Sequence, residues 1–280
     1  MKKPKDKKKK RKKTPKKHKR YSPLYSSDVS ASLWKKIRHL FPKESKNGRP
    51  RKWPLRSILN SILYILKTGC QWRYLPKDFP PYQTVYWYFQ KWSKSGFIKK
   101  IHDLIRNRLR KSLGKNKSPS VGLIDSQSAK TTEQGGERGY DAGKKINGRK
   151  RHIVVDSLGF LLAVHVHPAN IQDRDGAKET LLKLDTLYPL LELIWADGGY
   201  RGKLIEWVNE HIGVKLEIVK RNDDVSGFEV LPWRWIVERT FAWINRSRRM
   251  SKDYERFSES TESWIYLSML RVMFGRLEEV

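Results

Sequence analysis

The sequence predicts an α/β fold: a mixed sheet of strands and helices beginning near residue 121, preceded by an all-helical segment. Apolar residues recur at helical spacing between residues 28 and 113, and from 121 onward short apolar runs alternate with helical stretches. A polar stretch at 114–120, GKNKSPS, divides the two patterns and reads as a linker. With 280 residues, the chain can bury a sizeable core as one large domain or two ordinary ones.

Charge narrows the partner. The chain carries 60 Lys plus Arg against 29 Asp plus Glu, a net charge of +31. That excess excludes an ordinary metabolic enzyme as the default and points to a polyanion, nucleic acid first. Residues 1–20 hold 14 Lys and Arg and one acid, Asp6. A lysine run broken by Pro4 and Pro15 has nothing to bury, so it is expected to be a disordered arm that binds DNA nonspecifically by counterion release. The other 260 residues still carry +18, so the inference does not depend on the tail. The single cysteine, Cys70, excludes an intrachain disulfide and a cysteine-built zinc site. No stretch approaches the roughly 18 consecutive apolar residues of a membrane span. The basic start lacks the apolar segment of a secretory signal. The expectation is a soluble, cytoplasmic, nucleoid-associated protein with no membrane partner.

Each helix has its own cues. Asp28 or Ser30 is placed to cap a helix whose apolar face is Leu33, Trp34, Ile37 and Leu40. In the next, Pro54 stands in the first turn, Leu55, Ile58, Leu59, Ile62, Leu63 and Leu66 line one face, and Gly69 ends it. Thr84 caps a third helix bearing Val85, Tyr88, Phe89 and Trp92, stopped by Gly96, and a fourth runs from Phe97 to about Leu113. Short helices with Arg49, Arg51, Lys52 and Arg73 around them fit a helix-turn-helix-like DNA-binding domain over residues 21–113.

The second half begins with an apolar strand at 121–125 that ends on Asp125, followed by a polar, glycine-rich stretch at 131–148. Strands at 152–156 and 160–167 form a hairpin around Ser157, Leu158 and Gly159. A helix at 176–188, a strand at 191–196, a helix at 203–210, a strand at 214–219 and a helical region from about Trp233 complete the order. Three strands in a meander followed by crossover additions match the ribonuclease-H-like fold. In that arrangement Asp156 falls at the opposite edge, whereas Asp125 and Asp197 end parallel strands at one edge. Two carboxylates so close repel unless a divalent cation lies between them. Glu238 is the candidate third acid, since its helix is otherwise apolar and an ionised acid there costs energy unless compensated. A strand-terminal Asp is also a common turn former or cap; the three acids together carry the argument.

At these residues the chain resembles bacterial insertion-sequence transposases of the DDE class, in the insertion-sequence-five-like group. The similarity covers about residues 25–277 and rests on 58–80 (ILNSILYILKTGCQWRYLPKDFP), 124–130 (IDSQSAK), 139–156 (GYDAGKKINGRKRHIVVD), 170–177 (NIQDRDGA), 195–202 (WADGGYRG) and 234–243 (RWIVERTFAW). The resemblance implies that Asp125, Asp197 and Glu238 form the metal-binding catalytic triad, the same three acids. Insertion-sequence-four-like relatives surround that glutamate with Tyr, Arg and Lys; Arg234 matches the Arg, while Leu231 and Asn245 stand at the other two positions. The implied chemistry is two-metal phosphodiester hydrolysis and transesterification, with Asp125 bridging two Mg²⁺ ions and Mn²⁺ as a substitute. The implied partner is double-stranded DNA, as element ends and target, with a homodimer in the DNA complex.

Other groups have separate readings. Lys144, Lys145, Arg149, Lys150 and Arg151 are expected to contact phosphate near the site. Arg246, Arg248 and Arg249 follow Glu238 and are placed to line a DNA path. His165 and His167 share a strand face but lack a third nearby ligand, which favours a structural role. Asp173 and Asp175 read as a turn and helix cap. Two other functions fit the same residues: a non-catalytic DNA-binding protein derived from a transposase, and another ribonuclease-H-like nuclease.

Overall fold

A computed structural model of the chain describes residues 25–43, 50–184, 187–219 and 233–279. The lysine-rich tail, Arg49 and Leu231 lie outside these residues. Four helices come first: α1 (Ala31–Ile37), α2 (Leu55–Thr68), α3 (Tyr82–Lys94) and α4 (Phe97–Ser112). Ser30 caps α1, its Oγ accepting from the Leu33 amide at 3.0 Å. Gly69 ends α2 in the left-handed region at φ 70°, where its amide reaches the Ile65 carbonyl. Two helix starts differ from expectation. Pro54 is the cap of α2 rather than its first-turn residue, and α3 begins at Tyr82 behind Pro81, which leaves Thr84 inside the first turn.

The second half contains β1 (Val121–Lys130), β2 (Gly139–Asp141), β3 (Ile146–Asp156), β4 (Leu161–Pro168), α5 (Asp173–Leu182), β5 (Leu193–Ala196), α6 (Leu204–Ile212), β6 (Lys215–Ile218), α7 (Arg234–Asn245) and α8 (Ser258–Glu279). The sheet runs β2-β3-β1-β5-β6, with β4 also paired to β3. β1 is antiparallel to β3 and parallel to β5, and β5 is parallel to β6. Asp156 stands opposite Gly122, toward the start of β1 and away from the Asp125 end. There its buried carboxylate accepts from the Leu158 and Phe160 amides and pairs with the Arg110 guanidinium of α4.

Two strands are longer than their apolar runs. β1 continues five residues past Asp125, and β3 begins six before His152, inside the stretch read as a polar loop. Polar residues there still pair. Gly148 makes the pairing possible, since a Cβ at that position would lie 2.0 Å from the Ala129 carbonyl oxygen. Asp125 is therefore a mid-strand residue and not a terminal one.

Each face of the sheet carries a core. On one, Ile124, Val154, Leu162 and Ile194 pack against α5 and α6. On the other, Leu123, Ile153, Val155 and Val164 pack against α7 and α8, and the same cluster runs on through α1–α4. α8 is the centrepiece: Trp264 is buried and stacks on Phe89 of α3 at 4.5 Å between ring centres. The 114–120 connector thus divides the sequence, while the packing passes across it.

Candidate active site

The parallel pairing of β1 with β5 brings the first two acids together. Leu123 sits in register with Trp195, so Asp125 and Asp197, two residues further on, lie side by side on the face that α7 covers. Asp197 leaves its strand to cap the turn Gly198–Tyr200, its Oδ1 accepting from the Gly199 amide at 2.9 Å. Asp125 is half-buried and accepts from the Ser126 amide at 2.6 Å. Burial, reinforced by the neighbouring Asp197 charge, pushes its carboxyl up from the ordinary 3.8 to about 6; the Ser126 amide, Arg234 and Lys144 pull the other way.

α7 delivers the third acid through an arginine. Arg234 Nη2 lies 3.7 Å from Asp197 Oδ2, and its Nε lies 3.1 Å from Glu238 Oε1 without the alignment of a hydrogen bond. Glu238 was expected among apolar neighbours, but its side chain is 56% exposed. The helix turns it outward, away from Ile236, Val237 and Phe241, which are buried. Glu238 is therefore not a desolvated acid, and its one charged contact among the described residues is Arg234, which also reaches Asp197.

The donor chemistry fits a hard divalent cation: three carboxylates from three elements, two of them half-buried. Among the described residues no three His, Cys, Asp or Glu side chains stand close enough to hold one ion as placed. The Arg234 guanidinium lies between Asp197 and Glu238.

The basic residues divide by burial. Lys144 and Lys145 are exposed on the turn between β2 and β3, with Lys144 Nζ donating to the Ser126 carbonyl at 3.3 Å, beside Asp125. Lys145 holds φ at 54°. Arg149 and Arg151 do not reach the surface, which corrects their reading as phosphate contacts. Arg149 donates to the carbonyls of Glu137, Glu255 and Arg256 at 2.7–2.8 Å, and Arg151 donates to those of Met250 and Lys252. Together they clamp the loop that joins α7 to α8. Lys150 is also buried, pairing with Asp173 at 3.0 Å and donating to the Ile171 carbonyl. Arg249 is buried against Glu255, at 2.9 Å from its Nε, and against the Trp264 ring. Arg246, Arg248, Lys52 and Arg73 are exposed; Arg51 reaches the Pro42 and Lys43 carbonyls.

Behind Asp125, on the other face of β1, lies a network that sequence reasoning did not find. The Ser126 hydroxyl donates to Asp173 at 2.8 Å; Lys150 and His152 also face that carboxylate, and His152 bonds to His167 at 2.9 Å. These partners hold Asp173 well below the usual carboxylate range against the opposing effect of burial. Burial and the His152 charge lower His167 to about 4. His165 pairs instead with Glu262 of α8 at 3.3 Å. Alternation along β1 is the one signal that pointed here, because it sends Ser126 to the face opposite Asp125.

Comparison with known proteins places the chain in a family. Residues 116–273 match the model described as "Transposase DDE domain", and residues 29–102 match one described as "Putative transposase of IS4/5 family". The chain belongs to the DDE-domain transposase family of insertion sequences, of the IS4/5 type. Two relatives come from Burkholderia cepacia. The "Putative transposase for insertion sequence element IS402" is 28% identical over 140 residues, covering 46% of this chain and 64% of that protein. The "Insertion element IS402 uncharacterized 16.2 kDa protein" is 31% identical over 88 residues, covering 29% of this chain and 60% of that protein. The chain thus spans less than two thirds of the length of either relative. Among the described residues no helix is long and apolar enough to cross a membrane.

Proposed function

We propose that this protein is a DNA transposase that binds the terminal inverted repeats of its own insertion sequence, cuts the strands there and joins them to target DNA. One observation carries the reading: Asp125 and Asp197 lie side by side on the face that α7 covers, and Arg234 of α7 reaches both Asp197 and Glu238. The strand order, with an antiparallel meander beside parallel β5 and β6, supports a ribonuclease-H-like catalytic unit at 121–280. α1–α4 form the helix-turn-helix-like DNA-binding part within 21–113, and a homodimer pairs the two ends.

Asp125, Asp197 and Glu238 would hold divalent cations, Mg²⁺ or Mn²⁺. Those ions would supply a nucleophile at neutral pH and stabilise the charge developing on phosphate. The chain's own groups do the rest. Asp125 is held by the Ser126 amide, which fixes one carboxylate oxygen. The Gly199 amide does the same for Asp197. Arg234 pairs with Asp197 and Glu238 and balances part of their charge. Lys144 and Lys145 flank the site and receive the DNA backbone. In cleavage, water oxygen bonds to phosphorus as the bond to the 3′ oxygen breaks. In joining, the oxygen of that 3′-hydroxyl bonds to a target phosphorus as the target's own bond from phosphorus to its 3′ oxygen breaks, and the hydroxyl proton passes to solvent.

The test is cleavage of labelled DNA spanning the gene's own flanks, with Mg²⁺ or EDTA, by the wild type and Asp197→Asn. The reading predicts cuts at defined ends that require the metal and drop at least about 10³-fold in the variant while binding persists. Binding without any cutting by the wild type would replace it with a non-catalytic DNA-binding function.

A further inference from the structure

α3 presents to solvent a face that the fold itself does not use. Val85, Phe89 and Trp92 anchor the helix inward, the last two through ring contacts with Trp264 and Phe41. The opposite strip carries Gln83, Tyr86, Trp87, Gln90, Lys91 and Lys94 at spacings of three and four residues, which places them on one side of the helix. Trp87 is 54% exposed and Tyr86 is 44% exposed. Lys91 rests over the Trp87 ring at 4.9 Å, and Tyr86 stands edge-on to Trp72 at 5.0 Å, so both aromatic side chains are held in place while open to solvent. Among the described residues no hydrogen bond or ion pair engages the side chains of Gln83, Gln90 or Lys94. α3 contains no acid, and Asp78, just before it, accepts from the Tyr25 hydroxyl.

That combination fits one class of partner. Amides of Gln bond in pairs to adenine edges, lysines reach guanine edges or phosphate, and aromatic rings cover the thymine methyl. The strip from Gln83 to Lys94 is about 16 Å long, and a helix fits the roughly 12 Å major groove of B-form DNA. α2, by contrast, is buried along most of its length and has no such face. Resting on the DNA-binding reading above, we propose that α3 is the sequence-reading helix of this protein: its Gln83–Lys94 face enters the major groove of duplex DNA and selects the binding site, with Gln83 and Gln90 as the base-reading residues.

The experiment is selection of bound duplexes from a randomised pool by the full-length wild type, followed by affinity measurements on the enriched and a scrambled duplex. The variants are Gln83→Ala, Gln90→Ala, Lys91→Ala and Lys91→Arg, each checked for unchanged melting. The proposal predicts an enriched motif and a loss of about 5- to 150-fold on it for each Gln variant, with scrambled-duplex affinity kept. Lys91→Ala weakens binding, and Lys91→Arg restores it. A wild-type motif selected equally well by the Gln variants would overturn the role of α3 and leave the DNA-binding reading intact. Failure of the wild type to enrich any motif would overturn both. Variants that change the oligomeric state while keeping the motif would mark the face as a protein contact and overturn the proposal.

Discussion

At the scale of single residues, the site is expensive. Asp125 is half-buried beside a second carboxylate, and its carboxyl is raised to about 6 in the folded chain. A group whose pKa is higher folded than unfolded adds its full stability only below the unfolded value and loses it as pH rises through the folded one. Ionised Asp125 therefore destabilises the metal-free protein above pH 6. Asp125→Asn is expected to raise metal-free stability by about 1–3 kcal/mol at pH 7.5 relative to wild type, an advantage that shrinks toward pH 4. Thermal melting of both proteins across that range checks it, and an equal difference at every pH would contradict the assignment. Trading stability for charge at one point is expected where function needs that charge.

At the scale of elements, the same residue type serves opposite ends depending on where its strand or turn places it. Arg149 sits in β3 and is buried on three carbonyls and Asp253, whereas Lys144 sits on the preceding turn and faces solvent beside Asp125. Arg149→Met is expected to cost roughly 3–5 kcal/mol by leaving the buried Asp253 without its ion-pair partner, with the salt dependence of DNA binding unchanged. Lys144→Ala should leave stability alone and lower the salt slope by about 1. Denaturant melts and binding titrations at several salt concentrations separate the two. This pair also shows how far the sequence is legible. Apolar periodicity located α2, α4, the β3–β4 hairpin and the strands beneath Asp125 and Asp197, because burial of an apolar face is a local pattern. The outward turn of Glu238, the burial of Arg149 and Arg151, and the Ser126–Asp173–Lys150 network depend on neighbours distant in sequence, and no local pattern encodes them. Cross-strand pairing likewise extended β1 and β3 through polar residues that read as loop.

At the scale of the whole molecule, the two halves are interdependent. α8, the last element of the described chain, supplies Trp264, Met269 and Met273 to the core that α1–α4 complete, and Arg110 of α4 neutralises Asp156 in the β3–β4 hairpin. A fragment of residues 114–280 would expose that face of α8 and leave Asp156 without its cation. It is expected to lose cooperative melting and to aggregate, while the full chain melts in one transition that calorimetry can follow. Shared packing also joins the two halves, since α3 rests on α8 and α7 packs against α8.

The proposed site draws one acid from β1, one from the turn after β5 and one from α7 into a single metal-dependent centre. Iron-directed backbone cleavage tests it without requiring any DNA: Fe²⁺ is loaded in place of Mg²⁺, ascorbate and peroxide are added, and the peptide ends are mapped. Cuts are expected close to Asp125, Asp197 and Glu238 together, suppressed by excess Mg²⁺ and lost in Asp197→Asn. Cuts confined to other segments, or cuts near the three acids that persist in Asp197→Asn, would contradict it.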